Sequence, residues 1–115
     1  MTTATVKKQS WEEVQTAKVK AALKELGGGK NKICATLEAK KILGVPSTRD
    51  ECPIARYLEK TFKNATSIDV DSSEISLQFP KGEVCFTPSK AISDFIVDFD
   101  QEEYYKHLDE DCAAE

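Results

Sequence analysis

Residues 67–86, "SIDVDSSEISLQFPKGEVCF", decide the fold, because apolar and polar residues alternate through most of this stretch. The segments 67–70, 74–79 and 83–86 each place apolar side chains at every second position, as strands with one buried face do. The two connections between them are three residues long, and connections this short join antiparallel neighbours. The sequence therefore predicts an antiparallel three-stranded β-meander with one face packed on helices.

Before this stretch the apolar residues recur at helical spacing instead. Ser10 and Glu13 fit a capping box that opens the first helix. Pro53 opens the third helix. Proline suits the first helical position because the N–H that it lacks would have no hydrogen-bond partner there. The three predicted helices span about residues 10–26, 32–43 and 53–63.

A further helix follows the predicted sheet. Thr87 and Pro88 are interpreted as its N-cap and first helical residue. Its apolar stripe consists of Ala91, Ile92, Phe95, Ile96 and Phe99. Asp100 and Glu103 then predict a second cap, which opens a short segment with Tyr104, Tyr105 and Leu108.

These elements predict an α+β fold: three N-terminal helices, an antiparallel three-stranded meander, and a C-terminal helix with a short extension. We expect one domain over residues 10–108, a flexible lead over 1–9 and an acidic, flexible tail over 109–115. The chain has 115 residues, of which 40% are hydrophobic and 31% charged. That composition is ordinary for a globular domain and too apolar for wholesale disorder.

Charge is divided unevenly along the chain. Residues 1–66 hold 13 Lys/Arg and 7 Asp/Glu, a net of +6, whereas residues 67–115 hold 3 and 13, a net of −10. Such halves can attract partners of opposite charge or simply neutralise each other as solvated faces. No run approaches the roughly 18 apolar residues of a membrane span, and residues 1–10 lack a secretory leader. We therefore expect a cytoplasmic protein with reduced thiols and no membrane association.

Cys52 lies directly before the predicted start of the third helix, where a thiol can be activated by the helix N-terminus or can simply pack beneath the turn. A nucleophile also needs a base, and the one histidine, His107, belongs to a distant acidic segment. The phosphatase loop requires arginine six positions after its cysteine, where this chain has Leu58. A packed or capping cysteine is therefore favoured. The spacing of the four cysteines also lacks ligand pairs, so no metal or other cofactor is expected.

Three functions remain in order of preference. The first is a non-enzymatic accessory or regulatory protein that binds another macromolecule, with a protein as the favoured partner, through aromatic anchors and charged rims. The second is a nucleic-acid-binding module that uses the basic face of helix 53–63. The third is a thiol-dependent enzyme at Cys52. The predicted partner-binding residues are Arg56, Tyr57, Lys60, Lys63, Phe99, Tyr104 and Tyr105. The sequence leaves the oligomeric state open.

The string "CPIARYL" at 52–58, with "ATLEAKKILGV" at 35–45 and "FIVDFDQEEYYKHL" at 95–108, resembles small hypothetical proteins of actinobacteria and their phages. Those proteins share a C-P-x-A-R-Y-L block, a short β region and an F-x-x-F-D-x-x-x-Y segment, where this chain has three residues between Phe95 and Phe99. The resemblance implies a bacterial or phage cytoplasmic setting. It also implies that Arg56 and Tyr57 either brace the fold or mark a shared contact surface. This chain differs from the group in being lysine-rich.

Overall fold

The computed structural model describes residues 10–101 and 105–109 of the chain. Tyr104 and the segments 1–9 and 110–115 lie outside the described residues. Four α-helices, three strands and one 3-10 helix follow each other in the predicted order, which confirms the α+β fold. The elements are α1 (Trp11–Lys24), α2 (Lys30–Ala39), α3 (Pro53–Thr61), β1 (Ser67–Val70), β2 (Ile75–Phe79), β3 (Gly82–Phe86), α4 (Lys90–Asp100) and the 3-10 helix Lys106–Leu108.

The sheet is an antiparallel meander in the order β1-β2-β3, as predicted. Ile68 pairs with Leu77, and Leu77 pairs with Val84, so apolar side chains line up across the three strands. All three are buried against the helices. The polar partners Gln78 and Glu83 lie on the opposite face, where the Gln78 amide donates to the Glu83 carboxylate at 2.7 Å. The alternation in the sequence therefore places apolar side chains on the face packed on the helices and polar side chains on the opposite face.

The helices pack on the apolar face of this sheet and on each other. α1 contacts β3 and α3, α3 also contacts β1, and α2 contacts α4. Phe95, Phe99, Leu26, Ile33 and Leu37 are among the largest side chains of the single core between them. Each helix in the described part of the chain is too short or too polar to cross a bilayer.

The first helix begins where the sequence predicts. The Glu13 N–H donates to the Ser10 hydroxyl at 3.1 Å, and the Ser10 N–H donates to the Glu13 carboxylate at 3.2 Å. These two bonds form a complete capping box, which satisfies donors that the first turn of a helix leaves without partners.

The second helix ends four residues earlier than expected, at Ala39 rather than at residue 43. Lys41 adopts a left-handed conformation with φ of 58°. The Ile42 N–H then donates to the Leu37 carbonyl and the Lys41 N–H to the Glu38 carbonyl, both at 3.0 Å. This is the hydrogen-bond pattern of a Schellman motif. The motif ends the helix here, with a lysine in the position that glycine usually occupies.

The fourth helix begins two residues later than expected. Ser89, not Thr87, is its N-cap, and the Ser89 hydroxyl accepts the Ile92 N–H at 3.3 Å. Pro88 therefore precedes the helix instead of opening it. At the other end, Asp100 does not cap the extension: its carboxylate accepts the Ser47 N–H at 2.8 Å, and its predicted partner Glu103 lies outside the described residues.

Residues 105–109, here called the C-terminal strap, return across α2 to the turn at Gly44. Leu108 is buried, and its carbonyl accepts the Gly44 N–H at 2.7 Å. Asp109 forms an isolated parallel bridge with Gly44 and is buried. The packed domain therefore includes Asp109, which the sequence assigned to the flexible tail.

Candidate functional site

Cys52 is sealed in the core. Only 2% of the residue is exposed, and its Sγ accepts the Ala55 N–H at 3.4 Å. Burial raises the pKa of the thiol from its ordinary value of 9.0 to about 11, although hydrogen bonds from the Ala55 and Ile54 backbone act in the opposite direction. The helix N-terminus therefore does not activate this cysteine. Cys52 caps α3, as the sequence analysis favoured, and does not have the properties of a nucleophile.

A different cysteine meets the one histidine. The Cys34 Sγ lies 3.3 Å from the His107 Nε2, and the Glu38 carboxylate lies 3.5 Å from the same nitrogen. No local pattern predicts this contact, because it joins α2 to the C-terminal strap across 73 positions. Burial and the Glu38 charge raise the pKa of the Cys34 thiol.

This cluster is poorly arranged for nucleophilic catalysis. In a catalytic triad the acid orients the imidazole through one nitrogen while the nucleophile uses the other. Here Cys34 and Glu38 compete for a single nitrogen of His107. The cleft beside it has a volume of about 220 Å³ and is lined by His107 and Leu108, while Cys34 takes no part in its wall. The contact therefore fastens the strap onto α2.

Two of the predicted partner-binding residues belong to the interior. Tyr57 is 7% exposed, and its hydroxyl donates to the Ala22 carbonyl at 2.7 Å. Phe99 is 1% exposed, and its ring stacks on Phe95. The structure therefore buries both side chains instead of presenting them at a contact surface. Tyr57 ties α3 to the last turn of α1, and Phe99 belongs to the buried stripe of α4.

The predicted basic face of helix 53–63 is interrupted. Arg56 is half-buried, donates to the Leu43 carbonyl at 3.3 Å and lies 3.6 Å from the Glu51 carboxylate. Lys60 is exposed on α3, but Lys63 lies beyond the last helical residue, Thr61. The cause is Phe62, whose φ of −114° and ψ of 76° leave the helical region. The three basic residues therefore do not form one helical surface.

The surroundings of Arg56 are acidic. A polar cleft of about 430 Å³ beside it is lined by the carboxylates of Asp50, Glu51, Glu59 and Asp69. Phosphates are repelled by such a concentration of negative charge. This arrangement weighs against a nucleic-acid interface at α3.

Of the tyrosines expected at the acidic end, Tyr105 lies within the described residues. It is half-buried, and its ring stacks on Phe95 with centroids 5.1 Å apart. Its hydroxyl is 3.5 Å from the Asn31 side chain. Tyr105, the first residue of the strap, therefore closes the end of the core. The other tyrosine, Tyr104, lies outside the described residues.

A groove that the sequence did not indicate lies between α1, the end of β3 and the start of α4. We call it the α1–β3–α4 groove, and its volume is about 500 Å³. Leu23 and Ile92 form its buried floor, and the half-buried ring of Phe86 forms one wall. Lys20 and Lys24 stand at its rim. The complete lining is Lys20, Leu23, Lys24, Gly27, Gly28, Phe86, Thr87, Ser89, Ala91 and Ile92.

The rim and the wall of this groove are linked. The Lys20 Nζ lies 5.4 Å from the centroid of the Phe86 ring, a distance at which the ammonium and the ring attract each other. In sequence, Lys20 and Lys24 look like ordinary solvent-facing helix positions. Their role at a groove depends on β3 packing beside α1, which no local pattern predicts.

Comparisons of this chain with models of known protein families, with curated proteins and with solved structures found no match.

Proposed function

We propose that this protein is a non-catalytic binding module and that the α1–β3–α4 groove receives a segment of a protein partner. The observation that carries the proposal is the combination of an apolar floor with a charged rim in one cavity of about 500 Å³. Binding sites for small groups are commonly concave, mostly apolar and about 300–1,000 Å³ in volume.

The clefts beside Arg56 and His107 fit a binding role less well. The cleft beside Arg56 is mostly polar and acidic, and the cleft beside His107 is less than half as large as the groove. An apolar floor matters because removing apolar surface from water is the main driving force of most protein association. In the groove, Leu23 and Ile92 offer such a floor.

The resemblance to small actinobacterial and phage proteins supports a bacterial or phage cytoplasmic setting, in which this module acts as an accessory or regulatory protein. The second candidate is nucleic-acid binding through Arg56, Lys60 and Lys63. It would give an affinity for duplex DNA that falls steeply with salt and is lost when Lys60 and Lys63 become glutamate. The acidic cleft beside α3 disfavours it.

Site-specific photo-crosslinking tests the proposal in the cells that normally produce the protein. A photoreactive phenylalanine analogue at Ala91 stands on the groove wall, and the same analogue at Ala39 stands on the exposed surface of α2 as the matched control. We expect a protein adduct from position 91 and none from position 39. An adduct from position 39 with none from position 91 contradicts the assignment of the groove.

A further inference from the structure

We infer that the occupant of the α1–β3–α4 groove is a short acidic peptide segment that carries one bulky apolar side chain. This inference rests on the proposed function, because it names the partner chemistry of the same groove. The charge of the lining, the shape of the floor and the exposure of the backbone each contribute to it.

The charge of the groove is entirely positive. Lys20 and Lys24 are its two charged lining residues, and none of the ten lining residues is acidic. Both lysines are exposed, and neither forms an ion pair with a carboxylate among the described residues. The nearby Lys90, by contrast, is paired with Asp94 at 2.9 Å. The rim therefore presents two ammonium groups to an incoming chain, and carboxylates are the groups that complement them.

The floor selects an apolar anchor. Leu23 and Ile92 supply aliphatic surface at the bottom of the groove, and the Phe86 ring supplies an aromatic wall. Aromatic side chains gain from such a wall, since ring pairs stabilise each other in stacked or edge-to-face arrangements. The Lys20 ammonium covers part of the Phe86 ring. An apolar anchor that enters the groove replaces the ammonium on the ring, and the ammonium then pairs with a carboxylate of the peptide.

The far end of the groove allows a peptide backbone to approach. It is formed by Gly27 and Gly28, and a Cβ built on Gly28 would meet no atom within 4 Å. Thr87 is an exposed residue that also lines the groove and carries a hydroxyl. Backbone and hydroxyl groups there can exchange hydrogen bonds with an extended segment. A fatty acid would use the floor and the rim but would leave these groups without a role.

The test uses the full-length protein and fluorescently labelled peptides, with binding followed by anisotropy. One peptide is rich in aspartate and glutamate around a central tryptophan, a second has lysines in place of the acids, and a third keeps the acids but replaces tryptophan with serine. We expect the first peptide to bind and its affinity to fall with added salt. We expect the second and third to bind at least about tenfold more weakly, the equivalent of one lost contact of 1.4 kcal/mol.

Charge reversal separates the groove from general electrostatics. The double variant Lys20→Glu, Lys24→Glu should bind the acidic peptide at least about tenfold more weakly and should gain affinity for the lysine peptide. Lys18→Glu is the matched control, because Lys18 is also an exposed lysine on α1 but does not line the groove. Circular dichroism verifies that each variant is folded.

Each result has one meaning. Equal binding of the acidic and lysine peptides, or equal losses in the double variant and in Lys18→Glu, overturns the inference. If the protein binds dodecanoate but none of the peptides, the groove is a lipid site and the inference is overturned. Salt-sensitive self-association that blocks peptide binding also overturns the inference. If the photo-crosslink at position 91 persists while the peptides show no charge preference, the proposed function stands and the acidic partner is wrong. If the photo-crosslink at position 91 and the charge preference are both absent, the proposed function fails too.

Discussion

The Cys52 thiol accepts the Ala55 N–H across the first turn of α3, with the sulfur and nitrogen 3.4 Å apart. Serine, threonine, aspartate and asparagine usually hold this N-cap position, because their oxygen accepts such a bond strongly. Sulfur is a weaker acceptor, but a cysteine also behaves as a small apolar residue. Cys52 therefore caps the helix and also fills space in the core. A serine, threonine, aspartate or asparagine in its place would bury a more polar side chain.

This arrangement predicts that Cys52 resists alkylation in the folded protein. Iodoacetamide reacts with thiolates, and burial both blocks access to the sulfur and keeps it protonated. We expect its modification, followed near neutral pH by mass spectrometry of the peptides, to be far slower in the native protein than in guanidinium chloride. The exposed Cys85 is the internal control. A hydrogen bond to Glu74 raises the pKa of its thiol in the folded protein, so it should also slow on folding, but far less than Cys52. Equal rates for Cys52 in the two states would contradict its role as a sealed cap.

The same burial predicts how stability depends on alkaline pH. In the unfolded chain the Cys52 thiol loses its proton near pH 9.0, whereas in the folded protein it does so only near pH 11. The unfolded state therefore binds fewer protons in this window, and the free energy of unfolding falls as pH rises through it. We expect the decline to be steeper in the wild type than in Cys52→Ser by about 1.4 kcal/mol for each pH unit. Urea denaturation at several pH values measures both slopes, and parallel slopes would show that the thiol is not shielded.

Much of the fold could be predicted from sequence because its signals are local. The capping box of Ser10 and Glu13 is contained within four residues, and the strand Ile75–Phe79 alternates within five. Each pattern depends on the chain's own geometry and requires no knowledge of distant neighbours. The end of α2 could not be predicted in this way, because Lys41 provides the left-handed residue that glycine ordinarily supplies.

The candidate site lay beyond sequence reasoning for a different reason. Lys20 and Phe86 are 66 positions apart, and the groove exists only because α1 lies beside the end of β3. The burial of Tyr57 also depends on a distant residue, although the sequence predicted it at the surface. A tyrosine on a helix suits either a surface or a core, and only the nearby Ala22 carbonyl, which satisfies its hydroxyl, makes burial favourable.

The left-handed Lys41 predicts a substitution that stabilises the protein. A side chain with a Cβ costs about 1–2 kcal/mol in this conformation, and glycine avoids that cost but loses more entropy on folding. We expect Lys41→Gly to raise the free energy of unfolding by up to about 1 kcal/mol, measured by urea denaturation. Lys40→Gly is the matched control, because Lys40 has a right-handed φ of −87°, and it should lower stability by roughly 0.5–1 kcal/mol. Equal losses in both variants would show that residue 41 is not strained.

At Gly44 even a single added methyl group should damage the fold. A Cβ at this position would strike the ring and the nitrogen of Pro53 and would lie 2.7 Å from the Cys52 carbonyl carbon. These are backbone and ring atoms at the start of α3, so they cannot swing aside as a flexible side chain does. Gly44 also donates its N–H to Leu108, so any shift at the turn loosens the C-terminal strap as well.

We therefore expect Gly44→Ala to lower the free energy of unfolding by about 1–3 kcal/mol, the usual cost of overpacking a core. Gly28→Ala makes the same chemical change where the new Cβ meets no atom and φ lies outside the left-handed region. Because alanine restricts the unfolded chain more than glycine does, Gly28→Ala should be neutral or stabilising by up to about 1 kcal/mol. Thermal and urea denaturation of the two variants decide the matter. If Gly44→Ala is as stable as Gly28→Ala, the tight contact between this turn and α3 does not exist in solution.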